Sequence, residues 1–289
     1  MFSVKTGRSR WGVTSRNPAP MDVAMRWLVV VGACALVGVA SPVQAQMEPP
    51  VEEETGPHWE DGWHVRTPWD YVAAGVLGAG ALAITLATPE SENGWWLRRN
   101  RFDEGMLRAL AAPRPRGRRI AAILSDVSRG LVMAGPALID TTLAGVADPE
   151  LLYRMGGVSL LAFAATTLLM TGTKFAFRRE RPNVRRCEPE SEDGNCLGGR
   201  RYRSFFSGHA AMAFTAASLT CTYHTRMPLY GPRRADLAGC GVALGLATLT
   251  SVLRVVAEKH HFSDILVGAI VGFLSGFILP ASLYFGFRR

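Results

Sequence analysis

The stretch ILVGAIVGFLSGFILPASLYFGF, residues 265–287, contains no charged side chain. About 20 consecutive apolar residues are enough for an α-helix to cross the hydrocarbon core of a bilayer, so this stretch predicts a membrane-spanning helix. Five more apolar segments precede it and, with it, predict an all-α protein, a six-helix transmembrane bundle. They are residues 71–88, 119–147, 151–173, 209–223 and 237–253.

Three of these segments are weaker candidates for a membrane crossing. Residues 71–88 are rich in Gly and Ala, and residues 209–223 form a short segment. Charged side chains are unfavourable inside a bilayer. Residues 119–147 nevertheless carry three of them, Asp126, Arg129 and Asp140.

Residues 93–118 have a different pattern, in which aromatic side chains alternate with arginines. This pattern is typical of an amphipathic helix that lies in the membrane interface. Pro113 and Pro115 are expected to end the helix, because proline cannot continue the backbone hydrogen bonding.

The composition is apolar and basic at once, with 48% hydrophobic residues and a formal net charge of +8 in 289 residues. A basic balance indicates nucleic acid, an anionic membrane surface or a phosphorylated substrate as a partner. The sequence contains no recognisable RNA- or DNA-binding module, so no nucleic-acid partner is expected. The arginines cluster at the ends of apolar segments, which favours lipid headgroups.

The N-terminal residues 1–45 resemble a targeting segment. Several basic residues precede the apolar run 27–39, and the small-residue sequence SPVQA follows at 41–45. This order predicts a signal peptide cleaved after Ala45, with an uncleaved signal anchor as the alternative. Residues 46–68 are then an acidic linker, and residues 69–289 are the membrane-embedded domain.

Of the five cysteines, Cys34 lies in the predicted targeting segment, and the other four fall into two groups. Cys221 and Cys240 lie in apolar runs, where cysteine is expected to behave as a small hydrophobic residue. Cys187 and Cys196 flank a polar stretch and form a possible disulfide, provided that the loop faces an oxidising compartment.

The first motif is Lys174, followed after six residues by Arg181 and Pro182. An arginine can bind phosphate oxygens bidentately, and a lysine adds a point charge. Taken alone, this run fits better with the basic flank of a membrane helix.

The second motif, Ser207-Gly208-His209, precedes a run of small residues. If a helix starts here, its free backbone amides suit an anion, and Gly208 lets the backbone approach closely. The alternative is an ordinary helix cap formed by Ser207.

The third motif is Arg254, followed after five residues by His260 and after three more by Asp264. Asp264 could accept a hydrogen bond from one nitrogen of His260 and leave the other nitrogen as a nucleophile. His261 is a competing candidate because it also lies near Asp264. In isolation, a polar loop at the membrane interface is an equally good interpretation.

The three motifs, each beside an apolar helix and in this order, together resemble the type 2 phosphatidic acid phosphatase and vanadium haloperoxidase superfamily, in its membrane lipid phosphatase branch. The resemblance covers roughly residues 70–287 and is most specific over 174–264. It implies an all-α bundle of the acid phosphatase and haloperoxidase type, whose membrane members have six crossing helices.

The resemblance also implies a role for each residue. His260 corresponds to the nucleophile that forms a phosphohistidine, Asp264 to its orienting partner, and His209 to the acid for the leaving oxygen. The His-x3-Asp spacing selects His260 over His261. The implied phosphate ligands are Lys174, Arg181, Arg254, Ser207 and Gly208. No metal and no cofactor are expected, since three cations supply the charge neutralisation.

Two residues depart from the family pattern. Phe206 stands where proline usually precedes the Ser-Gly-His motif, which could loosen the turn or present an aromatic ring to the substrate. Leu253 stands where serine usually precedes the arginine, which removes a hydroxyl group from the phosphate cradle. The charged and histidine positions are intact, so an active enzyme is still expected.

The predicted function is an integral-membrane phosphatase that acts on a phosphomonoester or diphosphate of a lipid. Phosphatidic acid, phosphatidylglycerol phosphate, a polyprenyl diphosphate and a lipid A phosphate are all compatible substrates. The alternatives are a vanadium-dependent haloperoxidase, a lipid phosphotransferase and an inactive lipid-binding membrane protein. The oligomeric state is not predicted.

The expected location is the bacterial inner membrane, crossed several times. The positive-inside rule, applied to the arginines of residues 98–119 and 174–208, favours a cytoplasmic site. The bacterial membrane relatives and the Cys187–Cys196 pair favour a periplasmic site, which is the orientation that we predict.

Overall fold

The computed structural model describes residues 56–88, 93–187 and 198–287. The predicted signal segment 1–45, the first part of the acidic linker and Cys196 lie outside these ranges, so the predictions that concern them stay predictions. Within the described ranges the regular structure is helical, which confirms the all-α class. The α-helices are α1 (Trp69–Ala87), α2 (Arg101–Leu110), α3 (Pro115–Ala134), α4 (Asp140–Ala147), α5 (Pro149–Phe177), α6 (Gly208–Arg226), α7 (Arg233–Val256) and α8 (Phe262–Phe273).

Wider π-helical turns join some of these helices into longer rods. The turn Gly135–Ile139 contains Pro136 and connects α3 to α4, so that Pro115–Ala147 is one rod. The turns Leu274–Ile278 and Ala281–Phe285 extend α8 to Phe285. Proline cannot donate the regular helical hydrogen bond, and a π-turn accommodates this defect without ending the helix.

In the described part of the chain, six rods form the bundle, and five of them are long and apolar enough to span a membrane. The exception is α6, one of the six predicted crossings, which has small polar residues along its length. Neighbouring helices cover this helix, and most of its residues from Gly208 to His224 are buried. Its surroundings are therefore protein rather than lipid, which explains why its sequence is less apolar.

A row of glycines brings α8 close to α6. Gly268, Gly272 and Gly276 follow one another at four-residue spacing, so they lie on one face of the helix. A Cβ atom placed on Gly268 would lie 2.7 Å from the carbonyl oxygen of Ser207, and one on Gly272 would lie 2.7 Å from Cβ of Phe214. Small residues of this kind allow two helix backbones to approach closely in a membrane.

One end of the bundle, which we call the motif end, carries all three sequence motifs. There the N–H of Ser207 donates to the carbonyl of Asp264 (3.0 Å) and joins the start of α6 to the start of α8. The N–H of Ala112 donates to the carbonyl of Val256 (3.0 Å) and joins the α2–α3 connection to the end of α7. The motifs therefore meet because helices of alternating direction begin and end at one level.

The opposite end, the far end, contains the described part of the predicted linker. Trp63 is buried, and its ring lies 4.8 Å from that of Phe285. The N–H of His64 donates to the carbonyl of Tyr284 (3.1 Å). Residues 56–68 and the motifs thus occupy opposite ends of the bundle. A cleaved signal peptide would leave residues 56–68 on the periplasmic side, so this cleavage and a periplasmic site cannot both be correct if the rods cross the membrane.

The predicted amphipathic segment contains α2, which ends before Pro113 as expected. Its side chains Leu107 and Leu110 are buried, whereas Phe102 is about half exposed. Asn100 caps the helix by accepting from the N–H of Asp103 (2.7 Å). Asp103 itself is fully buried and points toward the motif end.

The expectation for Cys221 and Cys240 was wrong, because the two residues form a disulfide with Cα atoms 4.5 Å apart. They are 19 positions apart in sequence, one on α6 and one on α7, and become neighbours only through helix packing. Cys196 lies outside the described residues, so its bond to Cys187 stays a prediction.

Candidate active site

The three motifs converge at the ends of four helices. Lys174 is in the last turn of α5, Arg254 is in the last turn of α7, and Asp264 is in the first turn of α8. A Cβ atom on Gly208, the first residue of α6, would lie 3.2 Å from Nζ of Lys174. His209 interacts electrostatically with Arg254, His260 and Lys174. The structure therefore brings the predicted residues into one site.

His260 is held so that one ring nitrogen stays open. Its Nδ1 lies 2.8 Å from the carbonyl oxygen of Ser204. A carbonyl only accepts hydrogen bonds, so Nδ1 carries the proton and Nε2 keeps its lone pair. Burial, together with repulsion from Arg181 and Lys174, lowers the pKa of His260 to about 3 despite the opposing effect of Asp264. The imidazole is therefore neutral at physiological pH.

Asp264 contacts His260 less directly than expected. Its Oδ2 lies 3.7 Å from Nδ1 of His260, which is too long for a hydrogen bond. The same oxygen accepts from Oγ of Ser204 (2.6 Å) and from the N–H of His261 (2.9 Å). Ser204 thus stands between the two, because its hydroxyl binds Asp264 and its carbonyl binds His260.

His209 has a partner that the sequence did not indicate. Its Nε2 lies 2.7 Å from Oδ1 of Asp126 on α3, and the same oxygen binds the guanidinium of Arg254. Arg129, one turn further along α3, interacts electrostatically with His209 and with Lys174. In the sequence, Asp126 and Arg129 were only unfavourable charges in an apolar segment. That anomaly was the signal that could have placed them in a site.

Arg181 ties the loop before Ser207 to the site. Its Nε donates to the carbonyl of Arg200 (3.1 Å), and its two Nη atoms donate to the carbonyls of Lys259 and Arg203 (3.2 Å each). These three bonds fix the orientation of the guanidinium between the loop before Ser207 and the loop before His260.

Comparison with known proteins finds similarity over the part of the chain that carries the motifs. Residues 156–287 match the model of the PAP2 superfamily, and that range contains all three motifs. This part of the chain belongs to the PAP2 superfamily. A lipid A 1-phosphatase of Porphyromonas gingivalis is 34% identical over 125 residues, which are 42% of this chain and 23% of the length of that relative. No solved structure matches the chain.

Arg179 lies behind this PAP2 site and was not among the predicted site residues. It is 1% exposed, and its ion pairs reach Asp264 (2.5 Å) and Asp103 (2.6 Å). Its guanidinium also lies 4.2 Å from the ring centre of Trp96. Since Asp103 belongs to α2 and accepts from the N–H of Ser263 (2.8 Å), Arg179 connects α2 to the start of α8.

The loop before His260 is fixed by a second buried acid, Glu258, which is 1% exposed. Its carboxylate binds Arg186 through two hydrogen bonds of 2.7 and 3.0 Å. Arg118 at the start of α3 lies 3.6 Å from the same carboxylate. These contacts hold the loop in one place relative to α3 and to the short helix Pro182–Arg186.

His261 faces a different side of the loop from His260. Its Nε2 lies 3.1 Å from the carbonyl of Glu180, and its backbone N–H donates to the carboxylate of Asp264. These contacts give His261 a part in starting α8 and support the choice of His260 as the nucleophile.

The two departures from the PAP2 pattern are core residues. Phe206 is 2% exposed, so its ring is not presented to a substrate. Leu253 is buried in a small cluster with Ala121 and Ala257, where it packs α7 against α3. In the described part of the chain, no group of three or more His, Cys, Asp or Glu residues is arranged to hold a metal ion.

Proposed function

We propose that this chain is an integral-membrane phosphatase that hydrolyses a phosphomonoester or diphosphate of a lipid. The observation that carries the proposal is the environment of His260. Its neutral ring has an open Nε2 beside Lys174 and Arg181, at one end of an apolar bundle. Membership of the PAP2 superfamily and the name of the lipid A 1-phosphatase relative support the same reaction class.

In the first step, Nε2 of His260 attacks the phosphorus atom. An N–P bond forms, and the bond from phosphorus to the leaving oxygen breaks. Lys174, Arg181 and Arg254 neutralise the phosphoryl oxygens, and Ser207 and the amide of Gly208 complete the cradle. His209 donates its proton to the leaving oxygen, which departs as the lipid alcohol or, from a diphosphate, as the lipid monophosphate.

In the second step, His209 removes a proton from a water molecule as that water attacks the phosphohistidine. The N–P bond breaks, inorganic phosphate leaves and His260 returns to its neutral form. Asp126 beside His209 stabilises the imidazolium that exists before the first step and forms again in the second step. The three cations provide the charge neutralisation, so the reaction is expected to continue in the presence of EDTA.

The test measures phosphate release by the purified chain in detergent from a panel of lipid phosphates. The panel contains phosphatidic acid, phosphatidylglycerol phosphate, a polyprenyl diphosphate and lipid A. The wild type and His261→Asn should release phosphate, and His260→Asn should not. Release by His260→Asn at the wild-type rate, or none from any lipid by the wild type, would contradict the proposal.

We also propose that the motif end faces the periplasm of a bacterial cell. Two variants test this orientation, each with one added cysteine in place of an exposed arginine. They are Arg98→Cys at the motif end and Arg234→Cys at the far end. A membrane-impermeant maleimide, applied to cells with a permeabilised outer membrane, should label only Arg98→Cys above the background of the parent chain. Labelling of only Arg234→Cys would reverse the orientation and place residues 56–68 outside.

A further inference from the structure

A pocket of about 270 Å³ opens beside the catalytic cradle, between α1, α5 and the short helix Gly198–Tyr202. Four cationic side chains line it, Lys174, Arg181, Arg200 and Arg203. Among the described residues that line the pocket, none is acidic. Pockets for drug-sized ligands measure about 300–1,000 Å³, so this one suits part of a headgroup rather than a whole lipid.

The pocket shares residues with the phosphate cradle but is not the cradle itself. Lys174 and Arg181 belong to both, whereas neither His260 nor His209 lines the pocket. An anion in the pocket is therefore not the phosphoryl group that His260 attacks. Because two cations serve both places, an anion in the pocket lies next to that phosphoryl group.

Arg200 and Arg203, the two pocket arginines outside the sequence motifs, lie in a loop that is bound to the first motif. Arg181 donates to the backbone carbonyls of Arg200 and Arg203, which fixes this loop to the first motif. The guanidinium of Arg203 lies 4.7 Å from the ring centre of Phe175, one residue after Lys174. The backbone of both arginines is thus fixed by the first motif, and the guanidinium of Arg203 also contacts the residue that follows Lys174.

The pocket also has a route for an apolar tail. One of its walls is Thr85 of α1. Only 17% of the apolar part of α1 is buried, which is the lowest value among the five candidate membrane-spanning helices of the described residues. A lipid whose headgroup occupies the pocket can therefore extend its tail along the exposed surface of α1 into the bilayer.

We infer that this pocket binds a second phosphoryl group, joined to the one that His260 attacks, and that the preferred substrate is a lipid diphosphate. The inference rests on the proposed phosphatase function and narrows its substrate class. His260 attacks the terminal phosphorus, the bond to the bridging oxygen breaks, and His209 protonates that oxygen. The leaving lipid monophosphate carries negative charge, which Arg200 and Arg203 stabilise.

The experiment compares two substrates that have the same tail, farnesyl diphosphate and farnesyl phosphate, and measures the first phosphate released from each. The wild type should have the higher kcat/KM for the diphosphate. Arg200→Gln and Arg203→Gln should each lower the ratio of the two kcat/KM values by about tenfold, as expected for loss of a charge-assisted hydrogen bond. Arg200 is exposed, so its substitution should not impair folding.

Arg185→Gln is the matched control, because Arg185 is an exposed arginine paired with Glu104 and does not line the pocket. It should keep the wild-type ratio. Inhibition of the reaction by inorganic phosphate shows whether the pocket binds the headgroup of the substrate or a free phosphate ion. If Arg200→Gln weakens this inhibition but leaves the ratio unchanged, the pocket serves released phosphate and the inference is overturned.

The inference and the proposed function can fail separately. The inference alone would be overturned if the wild type had equal kcat/KM values for farnesyl phosphate and farnesyl diphosphate. It would also be overturned if the arginine variants kept the wild-type ratio of these two values. A wild type that releases no phosphate from either lipid, or release that persists in His260→Asn, would overturn both.

Discussion

The two ends of the bundle each bury a histidine beside carboxylates, but the two histidines are bound differently. At the far end, Nδ1 of His224 lies 2.6 Å from Asp236, and Nε2 lies 3.3 Å from Asp140. Tyr230 and Thr220 donate to the carboxylate of Asp140 (3.2 and 3.1 Å). Both ring nitrogens are therefore occupied, and the cluster ties α4, α6 and α7 together.

At the motif end, His260 has a hydrogen bond at Nδ1 only, within the part of the chain that the structure describes. Its neighbours include Lys174 and Arg181, which favour an anion in front of the open nitrogen. A buried His–Asp pair is therefore not in itself evidence of catalysis. An open nitrogen and neighbouring cations distinguish the motif end from the far end.

The largest expected effect separates the two histidines directly. His260→Asn should lower kcat for phosphate release by roughly 10⁴-fold or more, because it removes the nucleophile. His224→Asn should leave kcat of the folded protein within about threefold, since His224 lies outside the catalytic unit. If His224→Asn lost as much kcat as His260→Asn while remaining folded, the distinction between the two ends would be wrong.

The next largest effect is expected at His209, the proposed general acid. His209→Asn should lower kcat for a lipid phosphomonoester by about 10²–10⁴-fold. The loss should be much smaller with para-nitrophenyl phosphate, whose leaving group departs without a proton. Equal losses on the two substrates would assign His209 to binding rather than to proton transfer. Asp126→Asn should lower the rate in the same substrate-dependent manner, but less.

Arg179→Gln tests the ion pairs behind the site. It leaves the buried carboxylates of Asp103 and Asp264 without their cation, which should lower the free energy of unfolding by about 3–5 kcal/mol. Thermal unfolding in detergent measures the effect. Arg178→Gln is the neighbouring control, and a loss as large in Arg178→Gln would show that the buried pairs are not the cause.

The equivalent test at the far end is Asp236→Asn, which keeps the size of the side chain and removes its charge. It weakens the hydrogen bond to His224, so we expect a loss of about 1.5–3 kcal/mol in the free energy of unfolding. In contrast to substitutions at the motif end, kcat of the folded fraction should not change. A fall in kcat without a fall in stability would contradict a purely structural role.

The smallest expected effects come from adding a methyl group to the glycine row. Gly268→Ala and Gly276→Ala should each cost about 1–3 kcal/mol by overpacking α8 against α6. A Cβ atom at Gly268 would meet the carbonyl of Ser207 at the candidate site, whereas one at Gly276 would meet the carbonyl of Thr215 and Cβ of Ser218, further along α6. Only Gly268→Ala should therefore also lower kcat. Similar kcat values for the two variants would show that the position of Ser207 tolerates this shift.

The helices and motifs could be predicted because their signals are local. An uncharged run such as 265–287 indicates a membrane helix without reference to the rest of the chain. The motif residues were recognised by type and short spacing, and the structure brings them to one end of the bundle. Their catalytic roles stay predictions until the variants are assayed.

The partners of those residues could not be predicted in the same way. His209 is paired with Asp126 from 83 positions away, and Arg179 is paired with Asp103 from 76 positions away. The glycine row was visible in the sequence, but which helix it contacts was not. A spacing in one helix does not determine which other helix packs against it.

By itself, the sequence determined that the chain is helical and apolar, because composition is enough for this conclusion. It also determined that the chain carries three motifs of the PAP2 type, because their short spacings and their order along the chain are enough for that resemblance. Only the tertiary structure decided that Ser204 stands between His260 and Asp264 and that Arg179 lies behind them. It also decided that α6 is enclosed by other helices and that Cys221 meets Cys240. The physical reason is that hydrogen bonds, ion pairs and burial depend on side chains that are distant in sequence and become neighbours only when the helices pack.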